Sequence, residues 1–117
     1  IVFSSDYVFD GITGSYGDGA ALRPCNVYGR TKAELEHRLP EVCGDDYLVI
    51  RLSKVFGLRR GDKTLFDEMA TRFSQGLPVR AAVDQVFCPA WIDDVVHAVL
   101  ELQRIGARGT YNVCSSE

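Results

Sequence analysis

The sequence predicts an α/β fold with a mostly parallel sheet, and two of its features carry that prediction. Short apolar runs alternate with amphipathic stretches of helical period along the chain, the order that builds strand–helix–strand units. The apolar runs are also continuous rather than alternating with polar residues, as in strands covered on both faces. At 117 residues, the chain is expected to hold one domain at most.

The first element is a strand, Ile1-Val2-Phe3-Ser4-Ser5, apolar at its start and polar at its carboxyl end. A long loop follows from about Asp6 to Cys25, with Gly11, Gly14, Gly17, Gly19 and Pro24 breaking any period. It reads as flexible, since loops of this length are usually functional or disordered. A helix is predicted from about Asn26 to Cys43, where Tyr28, Lys32, Leu35 and Leu39 share one face. Asn26 can cap its start, Thr31 with Glu34 offers a competing capping box one turn later, and Gly44 can end it.

Tyr47 to Leu52 is a second buried strand, followed by a loop through Gly57 and Gly61. Thr64 with Asp67 opens a second helix, whose apolar face holds Leu65, Phe66, Met69, Ala70 and Phe73 and which Gly76 and Pro78 stop. A short strand is expected at Val79 to Val83. Ile92 to Gln103 is an amphipathic helix with Val95, Val96, Val99 and Leu102 inward. Its first turn carries Asp93 and Asp94, where the helix dipole favours acids. Tyr111-Asn112-Val113 makes the last strand, and Trp91 reads as a packing anchor ahead of the final helix.

Composition narrows the function classes. A chain with 46% hydrophobic and 25% charged residues is neither a disordered tail nor a fibre. The net charge is -3 and the densest basic spot is Arg59-Arg60, too little for a nucleic-acid footprint. No apolar run approaches the roughly 20 residues needed to cross a membrane, and no signal peptide is visible. Cys25, Cys43, Cys88 and Cys114 form no CxxC pair, and His37 and His97 fit no zinc spacing. The cysteines are therefore expected to be thiols in a reducing cytoplasm, with no metal site. Because the first residue is Ile1, the chain is expected to begin after processing or within something longer.

The chemistry is concentrated in Tyr28-Gly29-Arg30-Thr31-Lys32. Tyr and Lys four apart on a helix lie on neighbouring turns of one face. A free phenol ionises near pH 10 and is a poor proton carrier at neutral pH, but a nearby ammonium stabilises the phenolate. Lys32 also sits near a helix N-terminus, where a cation is locally unfavourable, as is expected at a functional site. Taken alone, the spacing reads more readily as a half-buried tyrosine and a solvated lysine. Ser4 and Ser5 strengthen it, because they end a strand at the edge where open α/β sheets bind ligands.

The blocks SSDYVFDG, PCNVYGRTKAELE, YLVIRLSKVFG and DQVFCPAWIDDVVHAVLEL resemble, in that order, the extended short-chain dehydrogenase/reductases. The nearest branch resembles the dTDP-4-dehydrorhamnose reductases. The resemblance implies a partial Rossmann-like parallel sheet, its second half, with the C-terminal substrate-binding portion, so that residues 1–117 form a single partial domain. It implies Ser5, Tyr28 and Lys32 as catalytic residues, helped by Asp6. Tyr28 and Lys32, with Val55, Phe56 and Gly57, would meet NAD or NADP. Asp84 and Gln85 would lie on the substrate side, and Arg51 or Lys54 would meet a diphosphate, although a strand-end salt bridge is an equal reading of Arg51. Lys54 stands where rhamnose-type reductases carry Trp, which leaves the sugar open.

The implied activity is NAD(P)-dependent reduction of a 4-keto nucleotide-sugar, in the cytoplasm and without nucleic-acid or membrane partners. Related proteins also suggest nucleotide-sugar epimerisation, a regulatory subunit like the β subunit of methionine adenosyltransferase, or a homodimer. No glycine-rich turn opens a helix in this sequence, so the dinucleotide-binding half is expected to lie outside it. Strand 1 should then show an open edge or an apolar surface, and the 117 residues alone should bind NAD(P) poorly and turn over negligibly.

Overall fold

The computed structural model describes residues 1–59 and 61–115. Its main sheet has three parallel strands in the order β1-β2-β5, namely Val2–Ser5, Leu48–Leu52 and Gly109–Val113. The register sets Ser5 opposite Leu52 and Leu52 opposite Val113, so the three carboxyl ends are level. The central strand β2 is buried from Leu48 to Arg51, and Val49 and Ile50 are wholly enclosed. Strand β1 lies at the margin and leaves Ile1 and Phe3 half exposed.

Helix α1, Val27–Cys43, packs against β1 and the 3-10 turn Asp6–Val8. Of its two candidate caps, Asn26 is the one in use. Its side chain accepts from the Gly29 N–H at 2.7 Å, while Thr31 donates back to the Val27 carbonyl. Gly44, at φ 57°, ends the helix. The buried face is Gly29, Ala33 and Glu36, one position round from the predicted Tyr28-Lys32-Leu35-Leu39 stripe, which lies at the edge of the contact. The loop to Cys25 is packed rather than loose. Phe9 stacks on Tyr16, Tyr16 donates to Asp10, and Ala20 and Leu22 rest on Val8, Phe9 and Ala33.

Two elements were not expected. Val55–Phe56 (β3) and Ala90–Trp91 (β4) pair in parallel as a small second sheet. Helix α2, Leu65–Ser74, is capped by Thr64 as predicted, yet no residue of it is buried, and Phe73 stands exposed. The strand expected at Val79 to Val83 does not form, and Val83 is fully exposed. Helix α3, Ile92–Arg104, buries Val95 and partly buries Val99 and Leu102, but turns Val96 outward. Trp91 is the anchor expected, with its ring against Phe56. The molecule measures 53 × 31 × 23 Å with a radius of gyration of 16.0 Å. A compact chain of this length would have about 13 Å, so the molecule is elongated.

Candidate active site

The carboxyl ends of β1 and β2 are joined by one carboxylate. Ser5 closes β1, is buried, and donates to Asp6 Oδ1 at 3.0 Å. Ser53, one residue beyond β2, donates to Asp6 Oδ2 at 2.8 Å. The Ser5 oxygen also accepts from the Tyr7 N–H at 3.3 Å, which starts the 3-10 turn. Ser4 faces the other way and donates to Glu36 at 2.5 Å.

Helix α1 brings the second set of groups to this end of β1. Lys32 Nζ donates to the Phe3 carbonyl at 2.9 Å and lies 5.8 Å from the centre of the Tyr28 ring. A carbonyl oxygen thus partners the cation that the helix N-terminus disfavours. The predicted Tyr28–Lys32 face exists, and Tyr28 is half exposed within it. Tyr7 links the two sets. Its N–H bonds Ser5, and its ring meets the Tyr28 ring edge-on at 5.9 Å. Gly29 makes the approach possible, because a Cβ there would stand 2.0 Å from the Tyr7 carbonyl oxygen.

A cleft of about 540 Å³ is lined by Asp6, Tyr7, Asn26, Ser53, Lys54 and Gln85 among others; Ser5, Tyr28 and Lys32 are not in its lining and reach it through Asp6 and Tyr7. Of the predicted substrate-side residues, Lys54 and Gln85 therefore face the cleft, and Asp84 is exposed outside its lining. Lys54 Nζ donates to the Tyr7 hydroxyl at 3.4 Å and lies 5.5 Å from that ring's centre, and among the described residues it has no carboxylate partner.

Arg51 needs correction as a diphosphate ligand. Although it reaches the cleft wall, all three of its side-chain nitrogens are engaged. Nε and Nη2 bond Glu36, and Nη1 bonds the Asp18 carbonyl and Asn112. The salt-bridge reading is the one the structure shows. Val55, Phe56 and Gly57 do not line this cleft, and the Phe56 ring packs between Phe66 and Trp91.

Two groups near the cleft have shifted pKa values. The Tyr16 hydroxyl, then the Ile12 N–H, hold the Asp10 carboxyl below its ordinary value. Burial, then the neighbouring Cys88, pushes the Cys114 thiol up. All four cysteines are free. Among the described residues, no group of three or more His, Cys, Asp or Glu side chains is placed to hold a metal ion, and no helix is long and apolar enough to cross a membrane.

Sequence reasoning missed Ser53, Tyr7 and Glu36. The parallel register would have found Ser53, since it follows the residue opposite Ser5. Nothing local marks Glu36, which is buried through partners on β1 and β2.

The strand-end serine and the tyrosine–lysine pair on the following helix are the arrangement that the resemblance to the short-chain dehydrogenase/reductases implies. The chain belongs to the RmlD substrate-binding domain family, whose model matches residues 1–117. It is 38% identical over 119 residues to a probable low-salt glycan biosynthesis reductase of Haloferax volcanii, covering 98% of this chain and 39% of that protein. Its fold matches a dTDP-4-dehydrorhamnose reductase from Bacillus anthracis solved in complex with NADP, with a TM-score of 0.88 at 25% identity, covering 99% of this chain and 41% of that one. A shorter likeness, 40% over 57 residues, joins it to methionine adenosyltransferase 2 subunit beta of Danio rerio, covering 49% of this chain and 17% of that protein. The chain thus spans about 40% of the length of the reductases it matches.

Proposed function

We propose that this chain is the substrate-side part of an NAD(P)-dependent reductase that acts on a 4-keto nucleotide-sugar in the cytoplasm. The single observation that carries the reading is the meeting of two sets of groups at one end of β1, the Tyr28–Lys32 pair and the Ser5–Asp6 pair, with Tyr7 touching both.

The donor set suits the nicotinamide end of a dinucleotide. Lys32 uses one of its three N–H donors on Phe3, which leaves donors for ribose hydroxyls, and Tyr28 offers a phenol at the surface. Val55, Phe56 and Gly57 would flank the same end. When bound, the nicotinamide supplies the hydride. The phosphates need a glycine-rich turn, and these residues do not contain one.

Tyr28 gives its phenolic proton to the sugar oxygen as that oxygen gains charge. Lys32 stabilises the phenolate left behind, and Ser5 orients the oxygen. Gln85 and Lys54 line the cleft, and Lys54, which has no carboxylate partner among the described residues, would meet an anionic oxygen of the substrate. The regulatory reading rests on a likeness over half the chain, whereas the reductase reading rests on a likeness over nearly all of it.

A Tyr28→Phe substitution in the protein as its gene encodes it tests the proposal. Positioned proton transfer is worth about 10²- to 10⁴-fold, so turnover should fall by at least two decades while NAD(P) binding persists. Undiminished turnover would reject the assignment.

A further inference from the structure

We propose that Ser53 is a positioning residue for Ser5 and acts through Asp6. It holds the Asp6 carboxylate at the end of β1, where that carboxylate keeps the Ser5 proton until a sugar oxygen takes the hydrogen bond. The inference rests on the role given to Ser5 above.

The hydrogen-bond inventory leads to it. A carboxylate only accepts, and a serine hydroxyl has one proton to give. The Ser5 proton goes to Asp6 Oδ1, and the Ser5 oxygen already receives the Tyr7 N–H. The Ser5 proton is therefore aimed at Asp6 and not into the cleft, whose lining does not include Ser5. To bond a sugar oxygen its proton must turn away from Asp6, which leaves Oδ1 short of a donor. The bond from Ser53 to Oδ2 survives that turn. It keeps the charge satisfied and the side chain in place, so the turn is reversible.

The two bonds to Asp6 also differ in what they fix. Ser5 and Asp6 are adjacent in the chain, so their contact would persist even if the turn shifted. Ser53 and Asp6 are 47 residues apart, so their contact ties the turn to β2. The register sets Ser5 opposite Leu52, and the next residue of β2's path carries its hydroxyl to the level of Asp6. Both Asp6 and Ser53 line the cleft. Without Ser53, the Asp6 carboxylate keeps one hydroxyl donor, Ser5, and holds that hydrogen bond more tightly against its turning to the substrate oxygen.

The test compares Ser53→Ala, Ser53→Thr and Tyr28→Phe in the protein as its gene encodes it, with dTDP-4-dehydrorhamnose and NADPH as probes, reading kcat, KM and Tm. A hydrogen bond to a charged group supports a loss of roughly tenfold to a hundredfold. Ser53→Ala should lose that much kcat with KM and Tm nearly unchanged, and Ser53→Thr should restore most of it. An unchanged kcat in Ser53→Ala overturns the inference, as does a loss matched by a falling Tm that threonine does not rescue. Tyr28→Phe separates the two levels. If it collapses while Ser53→Ala is unaffected, only the Ser53 role fails. If it retains full turnover, or if the unsubstituted protein reduces nothing, the catalytic reading fails and the Ser53 role with it.

Discussion

Arg51 and Glu36 form a buried two-point ion pair, with Nη2 2.6 Å from Oε2 and Nε 3.1 Å from both carboxylate oxygens. Their side chains are 6% and 5% exposed. The pair clamps α1 to β2, and its remaining contacts reach Ser4 on β1, Asp18 in the long loop and Asn112 on β5. Desolvating two charges is costly, so such a pair adds little over a well-packed apolar pair, but breaking it strands a buried charge. Arg51→Met and Glu36→Leu should each lose about 3–5 kcal/mol, and the double substitution should lose less than either alone. Urea unfolding of the four proteins checks this. A double variant that loses the sum of the two would show that the pair is not a coupled unit.

Gly29→Ala should destabilise, against the trend for helices. In an ordinary helix interior, alanine is better than glycine by about 1 kcal/mol. Here the added Cβ would stand 2.0 Å from the Tyr7 carbonyl oxygen and 3.0 Å from Pro24, and backbone must move to admit it. Overpacking of this kind costs about 1–3 kcal/mol. Because Tyr28 is the adjacent residue, turnover should fall more than stability alone explains. A stabilised Gly29→Ala protein with full activity would show that α1 and the 3-10 turn tolerate separation.

Asn26→Ala should lose about 1 kcal/mol, the usual worth of an N-cap, and Thr31→Ala should change stability by a few tenths at most. The sequence offers both as caps. The structure uses Asn26 on the Gly29 N–H and leaves Thr31 back-bonded to Val27, a contact that slightly disfavours a helix. Thermal unfolding of the two variants decides between them, and equal losses would mean that the first turn is not held as described.

What could be read from the residues was what depends on near neighbours. β1, β2 and β5 announce themselves as short apolar runs, α1 and α2 as caps followed by a 3.6-residue period, and α3 as that period with acids in its first turn. Tyr28 and Lys32 are four apart, so the helix alone puts them on one face. Contacts between distant segments stayed hidden. β3 and β4 are two residues each and have no period to detect. The segment from Val79 to Val83 looks like a strand because of its valines but pairs with no strand among the described residues. The stripe on α1 was displaced by one residue because its true centre includes Glu36, whose burial depends on Arg51 and Ser4. Ser53 reads as an ordinary strand-end serine until the register places it beside Asp6.

Cys114 should be slow to alkylate although it is exposed. Its thiol is pushed up first by partial burial, then by Cys88, with smaller contributions from Asp6 and Asp18. The thiolate is the nucleophile, and a raised value keeps the neutral thiol dominant to higher pH. At pH 7.5, iodoacetamide should label Cys114 more slowly than Cys43, which is also exposed, and the gap should narrow as pH rises toward and past the raised value. Cys88→Ser should speed Cys114 by removing its nearest thiol. Mass spectrometry of a labelling time course reads all of this. If Cys114 were labelled first, or if Cys88→Ser left its rate unchanged, the two thiols would not share the environment that the cleft gives them.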